Sequence, residues 1–172
     1  NKLDRTGASF ERSYKSILDR LSKKAVRMQI PIGEEGNHEG VVDLLQMKAF
    51  YFEGNMGNLV IEKEIPENLV ADAKKYRAEL VAKIAESADT LINDYLEGKE
   101  IPLESLKPAL RKAVIANKIF PVFTGSALKN KGVQLVLDAV VDYLPSPLDI
   151  PAIKGINPTT GEEVERHASD SE

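Results

Sequence analysis

Ile119-Phe120-Pro121-Val122-Phe123 is almost wholly apolar and is followed by a loop, 124–131, and then by a helical pattern from Gly132 to Leu144. A short apolar run with no alternation reads as a strand buried on both faces, the situation of a strand in a parallel sheet covered by helices. Pro145-Ser146-Pro147 ends the helix, because proline lacks an N–H donor and restricts the residue before it. A buried strand, a ligand-sized loop and a helix together predict an α/β layer in which functional loops lie at the carboxyl ends of the strands.

The rest of the chain divides around that unit. Thr6 or Ser9 is a candidate cap for a helix over about 9–23, with Phe10, Tyr14, Ile17, Leu18 and Leu21 on one face. Ala25 to Ile32 alternates as a strand does, and 33–40 is a turn-rich loop. Val41 to Phe52 holds one or two strands, with 44–49 equally readable as helix. Gly54 to Asn58 has hairpin composition and leads into a strand over 59–65. Pro66 opens a long helical pattern over about 67–97, carried by Leu69, Ala73, Tyr76, Leu80, Ile84, Ala88, Leu91 and Tyr95 and stopped by Gly98. A second helix is expected over 103–117, with Leu106, Leu110, Ala113 and Val114 inward and Pro108 in its first turn. Residues 1–23 and 119–147 thus suit an α/β sheet, 24–118 an inserted α+β unit, and 148–172 a linker into a further domain. The opening on Asn1 without an initiator Met, and the polar close at His167 to Glu172, suggest a piece of a longer polypeptide.

Composition limits what such a chain does. Apolar residues at 42% and charged residues at 29% place it among globular proteins. The net charge of −4 argues against a free-standing nucleic-acid binder, which carries a basic footprint. There is no cysteine, so disulfides, thiolate nucleophiles and cysteine zinc sites are excluded. No apolar run approaches the roughly 18 residues of a membrane span, and a cytoplasmic protein is expected.

Asn1-Lys2-Leu3-Asp4 fits the pattern N-K-x-D. A guanine edge offers two adjacent donors, the ring N1–H and the exocyclic amine, and one ionised carboxylate accepts both in parallel. Adenine lacks that pair and would leave Asp4 buried and unpaired. Sites of this kind reject such analogues by about 10⁴-fold. Lys2 can lay its stem and cation over the base, while Asn1 holds the loop and reaches the far edge of the purine. A four-residue string is weak alone, since an Asp before a helix is also an ordinary cap.

Gly125-Ser126-Ala127-Leu128 follows the apolar strand and precedes the helix, so this loop can face the Asn1–Asp4 loop. The small Ala127 lets its N–H approach a guanine carbonyl, and the Ser126 hydroxyl can brace the Asp4 carboxylate. Alone, the segment is also a tight strand-to-helix turn. With N-K-x-D, in this order and on these elements, it reads as the second half of a base site.

Residues 125–134 with 137–147, together with Asn1 to Ala8, Gly40-Val41-Val42-Asp43-Leu44 and Met47-Lys48-Ala49, resemble bacterial elongation factor G. The resemblance spans essentially the whole chain and is most specific over 125–147. It implies the carboxy-terminal part of a P-loop GTPase domain carrying an inserted α+β subdomain. It further implies GTP or GDP bound through Asn1, Lys2, Asp4, Ser126, Ala127 and Leu128. Ribosomes would be the partner, with contacts to ribosomal RNA, and magnesium would be held by residues outside this sequence. Acidic residues on the insert's long helix engage the large-subunit stalk protein in that family. Here Glu86 and Asp89 match that pattern while Ala82 does not, and Asn93 completes the same expected face; a solvated acidic face is the plainer reading.

The phosphate-binding string G-x-x-x-x-G-K-[ST] occurs nowhere in 1–172. These residues alone therefore make no competent GTPase. His38 and His167 show no metal or dyad pattern and read as solvated loop residues, as do Glu34, Glu35 and Glu39; Lys129 and Lys131 read as surface lysines. Tyr76 and Tyr95 share the apolar helical face and read as core. Two other readings remain open: a protein-interaction module built on the insert's helices, and a fragment of another ribosome-binding translational GTPase.

Overall fold

The structure is a computed structural model and describes residues 1–169, apart from the side chain of Asp89. Helix α1 (Phe10–Arg20) starts at Ser9, whose Oγ accepts the Arg12 N–H at 3.4 Å. Glu11 in its first turn and Arg20 in its last complement the helix dipole. The helix stops short of the expected residue 23, and Leu21, expected on the apolar face, stands 80% exposed.

The alternating run 25–32 is two strands. Strand β1 (Ala25–Arg27) pairs in parallel with β6 (Phe120–Val122), with Ala25 opposite Phe120. Strand β2 (Gln29–Ile32) opens an antiparallel sheet of order β2-β3-β4-β5, with β3 (Gly40–Asp43), β4 (Lys48–Glu53) and β5 (Leu59–Lys63). Met28 is where the chain changes sheet. Its N–H goes to Val122 O and its carbonyl accepts the Leu44 N–H, both at 2.9 Å. Among the described residues β6 pairs with β1 alone, and Phe120 is 38% exposed. The expected burial of this strand on both faces is corrected by its exposure: Phe120 is exposed, Pro121 and Val122 are half-buried, and within 119–123 only Ile119 is fully buried.

The ambiguous segment 44–49 is a tight turn over 44–47 followed by the first two residues of β4. Asp43 Oδ1 accepts the N–H groups of Leu45 and Gln46, each at 2.8 Å, an Asx turn that competes successfully with helix. The expected long helix is broken into α2 (Glu67–Glu86) and α3 (Asp89–Leu96). Ala88 is extended at φ −131° and ψ 102°, and the Ser87 hydroxyl turns back to Lys83 O at 3.0 Å. Glu86 thus ends one helix while Asp89 starts another, so Glu86, Asp89 and Asn93 do not share one continuous helix. Tyr95 is 37% exposed, against the expectation of a core position.

Helix α4 (Leu103–Ile115) buries Leu106, Leu110 and Ala113 as its periodicity predicts, although Pro108 lies one turn deeper than expected. Helix α5 (Val133–Tyr143) follows the loop after β6. One core runs through both sheets, with Val26, Met28, Leu44, Leu80, Ile84, Leu106 and Ile119 at its centre. Residues expected to be only a linker hold an exposed hairpin of β7 (Ile153–Ile156) and β8 (Glu163–Arg166). No helix is long and apolar enough to cross a membrane among the described residues.

Candidate functional site

The first eight residues form a loop ahead of α1, anchored by Leu3, which is 5% exposed. Lys2 takes a left-handed backbone, φ 66°, and its carbonyl accepts the Arg5 N–H at 3.2 Å.

The second loop, after β6, is closed by Ser126 and Lys131, which exchange N–H···O bonds of 2.9 Å in both directions. A Cβ on Gly125 would sit 2.3 Å from Lys131 O, so the close approach of these strands requires glycine there. Ser126 is 1% exposed.

The two loops meet. Leu3 N–H donates to Gly125 O at 3.2 Å, and Asn1 Oδ1 accepts the Ala127 N–H at 3.0 Å and the Lys2 N–H at 2.7 Å. The pKa of Asp4 lies below the ordinary carboxylate value, chiefly through the neighbouring Ser126 hydroxyl; Arg5 and Lys129 add to this, while burial opposes it. Asp4 is therefore ionised at neutral pH. Its Oδ1 is buried and has no hydrogen-bond partner. A hollow of about 360 Å³ lies beside the loops, walled by Asn1, Ser126, Ala127 and Val136 among others; Asp4 does not line it.

Asn1, Asp4, Ser126 and Ala127 are thus brought together. Lys2 and the 62%-exposed Leu128 stand at the rim. Glu86 lies elsewhere, exposed at the end of α2 and 3.2 Å from Lys83 Nζ. The Asp89 side chain lies outside the described residues.

Several neighbours that the sequence presents as solvated make defined bonds, with Glu35 and Glu39 exposed as expected and His38 buried against expectation. His38 is 1% exposed, its Nδ1 3.3 Å from Gly33 O. Glu34 Oε1 accepts the Phe10 N–H at 2.6 Å, and Glu35 Oε1 accepts the Gly7 N–H at 2.9 Å. Lys131, expected at the surface, donates to His38 O at 2.5 Å. Their partners are main-chain atoms, which no side-chain motif announces. His167 is exposed, 4.0 Å from Glu165, as a solvated residue would be.

A mixed α/β fold with parallel β1–β6 pairing and two converging loops at the carboxyl end of β6 defines a partial P-loop GTPase domain of the translational type. The profile of the elongation factor Tu GTP-binding domain matches residues 1–146, and the chain belongs to that family. Its members bind guanine nucleotides. The chain is also similar to a Thermus thermophilus protein of known crystal structure, at 26% identity and a TM-score of 0.75. That match covers 95% of this chain and 25% of the Thermus chain, so the residues here span about a quarter of its length.

Proposed function

We propose that this chain supplies the guanine-reading part of a ribosome-dependent translocase resembling bacterial elongation factor G. The observation that carries the reading is Asp4. Its carboxylate is ionised, with the Ser126 hydroxyl the main influence favouring the charged form, yet one oxygen is buried without a partner. An acceptor atom left without a donor is unfavourable, and a base offering two adjacent donors satisfies it. Guanine does so and adenine does not. Asn1, Ala127, Lys2 and Leu128 would surround the same base.

In this reading residues 1–23 and 119–147 belong to the nucleotide domain and 24–118 to an insert, with β1 better grouped with β6, its pairing partner. The phosphates, and the magnesium ion that accompanies them, would be held by a P-loop that this sequence does not contain. Bound nucleotide supplies the free energy of hydrolysis; the residues here bind and orient its base. The ribosome is the partner, in the cytoplasm, and contacts to ribosomal RNA belong to the same proposal. Glu86, with Asp89 at the start of α3, is the proposed contact to the stalk protein, on the strength of its exposure and charge.

Asp4→Asn in the full-length protein tests the base reading. It turns one acceptor into a donor, which opposes the guanine amine and suits the carbonyl of xanthine. The expected result is a preference shifted from GTP toward xanthosine triphosphate by roughly 10²-fold or more in competition assays. An unchanged preference would reduce Asp4 to a helix-entry residue.

A further inference from the structure

The loop between β2 and β3, residues 33–40, touches both halves of the candidate base site. Glu35 does so on the side of Asp4. Its N–H donates to Leu3 O at 2.8 Å, and its Oε1 accepts the Gly7 N–H at 2.9 Å, so one residue brackets Asp4 from before and after. Glu34 adds a bond of 2.6 Å to the Phe10 N–H, one of the donors that the first turn of a helix leaves unmatched. On the other side, His38 O receives the Lys131 Nζ at 2.5 Å, and Lys131 is the residue whose main chain pairs with Ser126.

These bonds cross the chain at separations of 28, 24 and 93 positions. They contribute nothing to the ladder of the antiparallel sheet, which is complete without them. Glu35 even adopts φ 56°, a sparsely populated backbone for a residue with a side chain. That conformation is what aims its N–H at Leu3 while its carboxylate reaches Gly7.

A second turn of the same sheet supports the other loop. Gly57, at φ 61°, lies so close to it that a Cβ would sit 2.8 Å from Asn130 O and 2.9 Å from Lys129 O. Gln134 Nε2 donates to Gly57 O at 3.0 Å. The four-stranded sheet therefore grips both loops at the ends of two of its hairpins.

We infer that the 33–40 loop positions the base-reading residues, and that Glu35 is the positioning residue that fixes Asp4. This rests on the reading of Asp4 as the guanine acceptor. Without the Glu35 carboxylate the Gly7 N–H turns to water and the Asp4 turn loses one of its two brackets. The carboxylate then meets the purine edge out of line. The loss falls on the bond that guanine makes and hypoxanthine cannot, the one from the exocyclic amine.

The test is equilibrium titration of the full-length protein with GDP and with inosine diphosphate, for the unaltered chain, Glu35→Ala, Glu35→Gln and Asp4→Ala. Glu35→Ala is expected to lower the GDP-over-IDP preference about tenfold, and Glu35→Gln, which keeps an acceptor at Oε1, to restore it. An unchanged ratio in Glu35→Ala, beside a collapsed ratio in Asp4→Ala, overturns this inference alone. Equal weakening of both nucleotides marks a merely structural role and overturns it too, as does loss of the preference in both Glu35 variants. An unchanged ratio in Asp4→Ala brings down the base reading and this inference with it. Should Glu35→Ala not fold, the shorter Glu35→Asp gives the same comparison.

Discussion

Asn1 and Ala127 are joined by one hydrogen bond, from the Ala127 N–H to Asn1 Oδ1 at 3.0 Å, across 126 positions of sequence. The same oxygen takes the Lys2 N–H, so a single side-chain amide fixes its own turn and the facing loop together. The Ala127 N–H is the donor expected to meet a base carbonyl, and here Asn1 already holds it. By tying the two loops together, Asn1 preorders the Ala127 segment for an arriving base.

Asn1→Ala in the full-length protein is accordingly expected to raise the dissociation constant for GDP about tenfold, chiefly through faster release. Thermal stability should change little, because Leu3 N–H still holds Gly125 O. Stopped-flow release of a fluorescent GDP measures it. Release no faster than in the unaltered protein would mean that the loops meet without help from Asn1.

Arg27 separates charge from packing between α1 and α2. It is 8% exposed, lies 3.7 Å from the Tyr76 ring centre and 4.5 Å from that of Tyr14, and forms a two-pronged pair with Glu11 at 3.0 and 3.2 Å. Its Nε has no partner, so part of its desolvation is uncompensated. Arg27→Ala opens a cavity between α1 and α2 and is expected to lose about 2–4 kcal/mol. Arg27→Met fills that space and releases the largely exposed Glu11 to water, and should lose no more than about 1 kcal/mol. Urea unfolding decides it: equal losses would make the cation, rather than its volume, the source of stability.

His38 gives the fold a definite pH dependence. Burial holds its pKa below the ordinary histidine value, reinforced by Lys131 and opposed by the Gly33 carbonyl, Asp4 and Glu34. The folded chain therefore keeps it neutral where the unfolded chain, near pH 6.5, takes up a proton. Stability from this group is complete above about pH 6.5 and falls as the pH drops below it. Urea midpoints measured from about pH 7.5 down to about pH 5 should decline, and His38→Gln should flatten that part of the decline. An equal decline in His38→Gln would assign it to other groups.

The parts of the fold legible in the sequence are those fixed by local periodicity. Leu106, Leu110 and Ala113 recur at helical spacing and are buried on α4, and β6, its loop and α5 lie where the apolar run and Gly132 place them. The break between α2 and α3 is invisible to periodicity, because Ala88 and Leu91 continue the apolar spacing straight through it. The change of sheet at Met28 is hidden for a similar reason: apolar and polar residues alternate from Val26 to Ile30 straight through it, and only the long-range partners differ. At the site, Asn1, Asp4, Ser126 and Ala127 are legible as side chains in a contiguous pattern. Glu34, Glu35 and His38 are not, since they act on main-chain atoms of residues 3–10 and on Lys131.

The proposed stalk contact makes the last prediction. Glu86 is exposed at the carboxyl end of α2, where the helix dipole disfavours a carboxylate, and its pair with Lys83 at 3.2 Å is open to solvent. A surface pair of this kind contributes about 0–1 kcal/mol to stability, so its charge is available to a partner. Asp89 follows at the first position of α3, past the break. Acidic residues so placed act chiefly by speeding encounter with a basic partner, and salt screens the effect over about 8–10 Å. Glu86→Lys with Asp89→Lys should therefore slow association with the stalk protein several-fold at low ionic strength, with the two rates converging at high salt. Nucleotide affinity should be unchanged, because neither position touches the Asn1–Asp4 or Gly125–Leu128 loops through any bond described for Glu86 or for the α3 backbone. Stopped-flow association at two ionic strengths reads the outcome, and equal rates for both proteins at low salt would return Glu86 to an ordinary solvated surface.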